Sequence, residues 1–258
     1  MMRVLAIGDI VGRPGRLAIE TFLPGLRQEY GIDFVVANGE NAAGGFGLTL
    51  ATARELFDNG VDVITSGNHI WTHKEIIPYL DTDAPVVRPY NYPAGVPGRG
   101  YVIKNNVMVI NLIGRTFMND YDCPFRGMDA LLESLPERPP VIIVDFHAEA
   151  TSEKVALGHY LDGRVSAVLG THTHVGTIDA RVLRGGTAYV SDIGMTGPIE
   201  SVIGDTIDGV IQRFLTMMPI RLTVAEGRPF FTAVYVDIDE KTGRATGIDR
   251  ITREIPKR

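Results

Sequence analysis

The chain has 258 residues with 25 basic and 31 acidic side chains, a formal net charge of -6, six His and one Cys. At 45% hydrophobic and 22% charged, it has the makeup of a globular protein with a sizeable core, in one large domain or two small ones. A single cysteine excludes an internal disulfide or a Cys-rich zinc site, no apolar run nears the ~18 residues of a membrane span, and the acidic balance argues against broad binding of long nucleic acid.

Residues 3–8 read as a buried strand, and Asp9 directly behind it interrupts any signal-peptide pattern, so a cytoplasmic protein is expected. Residues 17–30 read as a helix with Leu17, Phe22, Leu23 and Leu26 on its apolar stripe. Residues 34–38 form the next strand. Thr49 is placed to cap a helix running to Asn59 and closed by Gly60. A third strand at 61–66 precedes a short helix near 74–80. This alternation implies parallel strands with right-handed crossovers.

Beyond residue 100 the pattern changes. Strands at 101–104 and 107–112 flank Asn105-Asn106, a hairpin signal because Asn tolerates positive φ. A strand at 141–145, a helix at 152–161 and a strand at 165–170 follow. Residues 181–183 and 187–190 read as a second hairpin around Arg184-Gly185-Gly186. A helix is expected at 205–216, antiparallel strands at 221–224 and 230–238, and a frayed charged end from Arg253 to Arg258. No repeat or linker divides the chain, so residues 1–258 are expected to form one domain; a split near 89–98 is the alternative. The 29 Gly and 15 Pro call for many tight turns and long loops.

Ligands of open α/β folds bind beyond the carboxyl ends of the strands. Five such ends carry Asp9, Asn38-Gly39-Glu40-Asn41, Gly67-Asn68-His69, Asp145-Phe146-His147 and Gly170-Thr171-His172-Thr173-His174. Carboxylate, amide and imidazole groups are the ligands of divalent metals, and the mixture fits iron or manganese best, with zinc next. His172 and His174 can face one site only if the chain turns where the strand stops. The donors exceed what one four-coordinate ion takes, so two ions sharing a carboxylate are expected, with Glu40 as the bridge. There is no Gly-Lys-Ser/Thr, which excludes a P-loop, and a dinucleotide-binding reading leaves the later His residues without a purpose.

Gly67-Asn68-His69 together with Gly170-Thr171-His172-Thr173-His174 resembles the calcineurin-like metallophosphoesterases. Further segments resemble their YmdB-type phosphodiesterase branch: Gly8-Asp9-Ile10-Val11-Gly12, Asn38-Gly39-Glu40-Asn41-Ala42, the run from Asp145 to Lys154, and the run from Ser191 to Gly197. Val11 stands where the wider family has a His, and Glu40-Asn41 where it has a bridging Asp; both departures are similar to the branch. The resemblance implies a four-layer α/β/β/α sandwich with two facing mixed β-sheets. It implies that Asp9, Glu40, Asn41 and His174 hold one metal, that Glu40, Asn68, His147 and His172 hold the other, and that His69 is the acid. Glu149 and Lys154 match the branch and are expected to orient the ligands. The implied reaction is hydrolysis of 2′,3′-cyclic nucleotides by a hydroxide shared between the ions.

Two divalent ions balanced by two carboxylates and one hydroxide leave a local charge of about +1, which attracts a phosphodiester monoanion. Phe46, Trp71, Tyr121 and Phe125 are candidates for stacking a base. His73 and His159 have no motif partner. The expected partner is a small phosphodiester, with no long nucleic acid and no membrane; a homo-oligomer is allowed by the sequence and not decided by it. A phosphomonoesterase, a nuclease on short RNA, or a regulatory protein whose metal site serves partner binding remain the alternatives.

Overall fold

The computed structural model describes residues 1–255. The chain opens with β1 (Met2–Ile7), the short β2 (Asp9–Ile10), α1 (Gly12–Tyr30), β3 (Phe34–Asn38), α2 (Leu50–Asp58), β4 (Val63–Thr65) and α3 (Ile76–Leu80). Next come β5 (Tyr101–Lys104), β6 (Val107–Ile113), α4 (Pro124–Ser134), β7 (Val141–His147), α5 (Thr151–Tyr160) and β8 (Ala167–Thr171). The remainder is β9 (Arg181–Val182), β10 (Ala188–Val190), β11 (Met195–Pro198), α6 (Ile207–Thr216), β12 (Pro229–Ile238) and β13 (Ala245–Glu254).

These strands form two mixed sheets. One runs β2-β11-β12-β1-β3-β4 with β13 on the other edge of β12, and the second runs β5-β6-β7-β8-β10-β9. Strand periodicity assigns the layers. Val4 and Ala6 of β1 join Val107 and Val109 of β6 and Val141 and Ile143 of β7 in one core between the sheets. Their neighbours Leu5 and Ile7 face Ile19 and Leu23 of α1. Met108, Ile110, Ile142 and Val144 face Met128 and Leu131 of α4 and Leu157 of α5. The result is the expected α/β/β/α sandwich. Because both faces of β6 and β7 are apolar, register is marked by the polar residues near their carboxyl ends, Asn111 and Asp145, which are buried between the sheets.

Several boundaries differ from the sequence reading, each for a physical reason. α1 starts at Gly12, not 17, because Pro14 falls in the first turn, where its missing N–H costs nothing. The helix α4 is absent from the sequence reading, although Pro124 opens it and Met128, Leu131 and Leu132 form its buried side. Residues 221–224 form no strand: Val224 makes one isolated bridge to Asp205. Both edges of β12 are already taken, by β13 on one side and by β1 and β11 on the other. Arg253 and Glu254 are not frayed but close β13 against Phe231 and Phe230; residues 256–258 lie outside the described residues. Among the described residues, no helix is long and apolar enough to cross a membrane.

Candidate metal centre

The parallel strands β3, β4, β7 and β8 point their carboxyl ends to one side, and β2 begins there. The site is built from the last residue of each strand and the loop behind it. Asp9, Glu40 and His147 are fully buried, Asn41 nearly so. Glu40, His147 and His172 bring ligand atoms within 4.8 Å of one another. The chain does turn where β8 stops: His172 has φ 98° and His174 φ 66°. Left-handed backbone at a non-glycine residue costs on the order of 1–3 kcal/mol, so the surroundings must hold it.

A buried ion pair does the holding. Lys154 Nζ donates to Asp192 Oδ2 (2.7 Å), and the same oxygen accepts from Thr173 N (3.1 Å) and Thr173 Oγ1 (2.7 Å). The residue between the two histidines is thereby tied through Asp192 to Lys154 of α5. Lys154→Met leaves the Asp192 carboxylate buried without its cation, and the expected loss is about 3–5 kcal/mol of folding stability, read from the denaturant midpoint. A shift under ~1 kcal/mol would mean that the pair is dispensable.

Each of the three clustered histidines has one nitrogen engaged by the protein, which sets the tautomer assigned from the hydrogen-bond network. His147 Nδ1 donates to Thr171 Oγ1 (3.1 Å), whose own hydroxyl donates to Asp145 Oδ1 (2.7 Å). His174 Nδ1 donates to the Ile203 carbonyl (2.6 Å), and His172 Nε2 meets Glu149 Oε2 at 3.1 Å. The opposite nitrogens therefore carry no proton and are acceptors. His147 Nε2 then faces Glu40 Oε1 at 3.0 Å, Asn68 Oδ1 at 3.2 Å and His172 Nδ1 at 3.0 Å. Four acceptors at these separations with no proton between them repel unless a cation sits among them. Asp9 Oδ1 and Glu40 Oε2 are also buried without a hydrogen-bond partner. Such orphaned oxygens are rare, and the donor set fits divalent metal ions.

The metal-free electrostatics agree. Burial pushes the Asp9 and Glu40 carboxyls above the ordinary carboxylate range. Burial also lowers His147 and His172 to about 4, keeping both imidazoles in the neutral form that binds metal. Asp145 is raised to about 7 by burial, against hydrogen bonds from Thr65 and Thr171 that pull it down.

Asn41 links the remaining groups. Its Nδ2 donates to His174 Nε2 (3.1 Å), and its Oδ1 accepts from His69 Nδ1 (2.9 Å). His69 Nδ1 is also 3.2 Å from Glu40 Oε1. Gly67 makes this packing feasible: an added Cβ would overlap Glu40 Oε2 and the His147 ring. Gly67→Ala is expected to displace both and to lower metal retention and turnover on the order of 100-fold. Wild-type metal content in that variant, measured by elemental analysis, would refute the crowding.

A cleft of about 280 Å³ opens onto the centre, lined by Glu40, Asn41, Phe46, His69, Glu149, His172 and His174. Among the four stacking candidates, only Phe46 lines it, edge-on to His69 with ring centroids 5.0 Å apart. His73, without a motif partner in the sequence, donates Nε2–H to the Phe46 carbonyl (2.9 Å). Trp71 and Tyr121 instead stack edge-on against Tyr92. The structure does not bring Phe125 to the cleft: it packs on the α4 side, 5.3 Å from Tyr160. His159 is exposed near the end of α5. Sequence reasoning missed Asp145, Thr171 and Asp192, which act through other residues; burial of polar groups, invisible in one sequence, is the signal that finds them.

The sequence profile described as YmdB-like protein matches residues 5–251. A 2′,3′-cyclic-nucleotide 2′-phosphodiesterase of Bacillus subtilis (strain 168) is 50% identical over 254 residues, covering 97% of this chain and 96% of its own. The crystal structure of a hypothetical protein from Thermus thermophilus superposes with a TM-score of 0.92 at 46% identity, covering 99% of this chain and 100% of that one. That of a novel phosphatase from Mycoplasma pneumoniae superposes with a TM-score of 0.93 at 31% identity, covering 98% and 93%.

Proposed function

This chain belongs to the YmdB-like protein family of the calcineurin-like metallophosphoesterases, and from that premise we propose that it hydrolyses 2′,3′-cyclic nucleotides, or similar small phosphodiesters, at a dinuclear metal centre. The observation that carries the reading is the convergence on His147 Nε2 of Glu40 Oε1, Asn68 Oδ1 and His172 Nδ1, all acceptors. The 50% identical Bacillus subtilis relative, a cyclic-nucleotide phosphodiesterase, supports the substrate class.

Asp9, Glu40, Asn41 and His174 would hold one ion, and Glu40, Asn68, His147 and His172 the other. When bound, paired divalent ions supply positive charge for the phosphoryl oxygens and lower the pKa of water. Iron or manganese suits these donors best, with zinc next. His69, on the cleft wall, donates a proton to the leaving oxygen as the P–O bond of the ring breaks. Asn41 and Glu40 accept from its Nδ1–H, so His69 serves as the acid in its doubly protonated form, with the Nε2 proton the one given up. Phe46 offers a face for the base.

We read residues 1–258 as one domain, because the 89–98 segment is stitched to both sides: Gly98 N donates to Asp81 Oδ1 (2.7 Å) and Tyr90 N to Asn111 O (2.7 Å). A cytoplasmic location and exclusion of long nucleic acid rest on the lone cysteine and the net charge of -6.

Elemental analysis of protein purified without added metal, with parallel assays on a cyclic nucleotide, a linear diester and a monoester, tests the proposal. Two equivalents of metal and fastest turnover of the cyclic substrate are expected. Under one equivalent, with no gain on adding manganese or iron, would sink it.

A further inference from the structure

A second cavity, of about 650 Å³, lies between the 88–101 segment and the start of α4, and it shares no lining residue with the metal cleft. Its volume is that of a small-molecule site. Arg88, Arg99 and Arg126 line it together with Tyr90 and Tyr101, and Asp122 is its one carboxylate. Three guanidinium groups against one carboxylate leave a local charge of about +2, in a chain whose net charge is -6.

The protein does not neutralise these cations. Arg88 is half-buried and donates only to uncharged acceptors, the carbonyls of Pro89 (2.8 Å), Gly98 (3.2 Å), Pro97 (3.3 Å) and Tyr90 (3.3 Å). Burial pushes its pKa below the ordinary guanidinium range, with no carboxylate to oppose the shift. Four bonds leave one N–H on Nη2 without a protein partner. Arg99 lies opposite Arg88, whose N donates to its carbonyl (3.0 Å), and the nearest carboxylate to it is Asp83, 3.7 Å away and fully exposed. Arg126 is exposed and makes no hydrogen bond or ion pair among the described residues. Withdrawing a cation from water without a counter-charge is costly, so the arrangement favours an anion.

The tyrosines narrow the ligand further. Tyr90 is pressed against Gly100, where an added Cβ would lie 2.4 Å from its Cα and 2.5 Å from its Cβ. Neither the Tyr90 nor the Tyr101 hydroxyl is bonded by the protein among the described residues. Their faces suit a flat ring. Guanidinium forks pair with phosphate oxygens two at a time, and a phosphomonoester carries about −1.5 to −2 at neutral pH, the complement of the local charge. A lone carboxylate would leave part of that charge unmatched, and inorganic phosphate would leave the tyrosine faces uncovered.

We propose that this cavity binds a small phosphomonoester bearing a flat ring, the chemistry of a nucleoside monophosphate, at a site separate from the metal centre. Nothing in the proposal depends on metal or turnover, so it stands or falls apart from the phosphodiesterase reading. Two residues report on it. Cys123, the only cysteine, is half-buried on the cavity wall. Trp71, the only tryptophan, packs edge-on against Tyr92 of the same wall, ring centroids 5.5 Å apart. Adenosine 5′-monophosphate, titrated into the full-length metal-loaded protein, is expected to slow alkylation of Cys123 by iodoacetamide about tenfold or more at saturation and to shift Trp71 emission along the same curve. Adenosine alone and inorganic phosphate alone should each need at least about tenfold higher concentrations. Arg126→Glu should raise the half-saturating concentration about tenfold or more with an unchanged circular dichroism spectrum, whereas Arg126→Lys should retain most of the binding. No protection of Cys123 at millimolar nucleotide, or equal binding by Arg126→Glu, would overturn the site. So would a shift in Trp71 emission without protection of Cys123, which would place the nucleotide in the metal cleft. Protection by inorganic phosphate as strong as that by the nucleotide would overturn the assignment of a ring.

Discussion

Glu40→Gln is expected to abolish turnover and yet to stabilise the metal-free protein. The two effects share one cause. Glu40 is buried, with Oε2 unpartnered and Oε1 against two histidines. Without an ion, burial penalises its charge and raises its carboxyl pKa. A carboxyl raised in the folded state stabilises fully below its unfolded value, near ~4.3, and that contribution is lost as pH rises through the folded one. At neutral pH the metal-free protein therefore bears the penalty, and Gln removes it. In chelator the variant should melt higher than wild type, and the gap should close as acid protonates Glu40. With metal the order reverses, because a ligand at 100 times its Kd adds ~2.7 kcal/mol to the protein that binds it. If Glu40 is shared between two ions, as proposed, its loss removes several kcal/mol of transition-state stabilisation, a turnover loss on the order of 10³ or more. A variant that keeps two equivalents of metal, or one that is less stable than wild type in chelator, would show that Glu40 is not the shared ligand.

The centre was more legible in the sequence than its supports. Asp9, Glu40, Asn68, His147, His172 and His174 each sit directly behind or at a run of β-branched residues, so strand-end logic alone grouped them. His172 and His174 could be placed together because a strand end must turn; the left-handed backbone that accomplishes the turn could not be read, since neither residue type demands it. Asp145 and Thr171 fall in the strand-end runs but carry no role in the sequence reading, because His147 and His172 beside them are the stronger ligand types. Only the pairing of β7 with β8 brings Thr171 beside His147. Asp192 is likewise linked to Lys154 across 38 positions, a contact that no local pattern encodes. For the fold, periodicity found the strands packed on both faces but overlooked α4 and β13. β13 is half exposed and highly charged, so it carries little apolar signal and is fixed instead by its ladder with β12. The base-stacking candidates fared worst, because aromatic residues serve cores and clefts alike, and only Phe46 reached the cleft.

His69→Ala should keep the metal and lose turnover in proportion to how poor the leaving group is. His69 follows Asn68 in the chain, and its Nδ1 is bonded to Asn41. Its ring lines the cleft, and no protein group engages its Nε2 among the described residues. A ligand histidine would present a free nitrogen to the buried carboxylates; His69 presents its occupied one and turns the other to the cleft. Proton donation in the transition state contributes ~10²–10⁴-fold. That factor should be lost on a cyclic nucleotide, whose ribose alkoxide must be protonated to leave. It should nearly vanish on a nitrophenyl diester, whose phenolate leaves without a proton. Metal content, by elemental analysis, should match wild type. Equal losses on both substrates would assign His69 to positioning, since a displaced centre harms every substrate alike. Loss of metal would assign it to ligation. Asn41→Ala separates these cases further, because it frees both His69 Nδ1 and His174 Nε2. It should lower metal affinity and also steepen the dependence of rate on leaving group, a combination that His69→Ala does not produce.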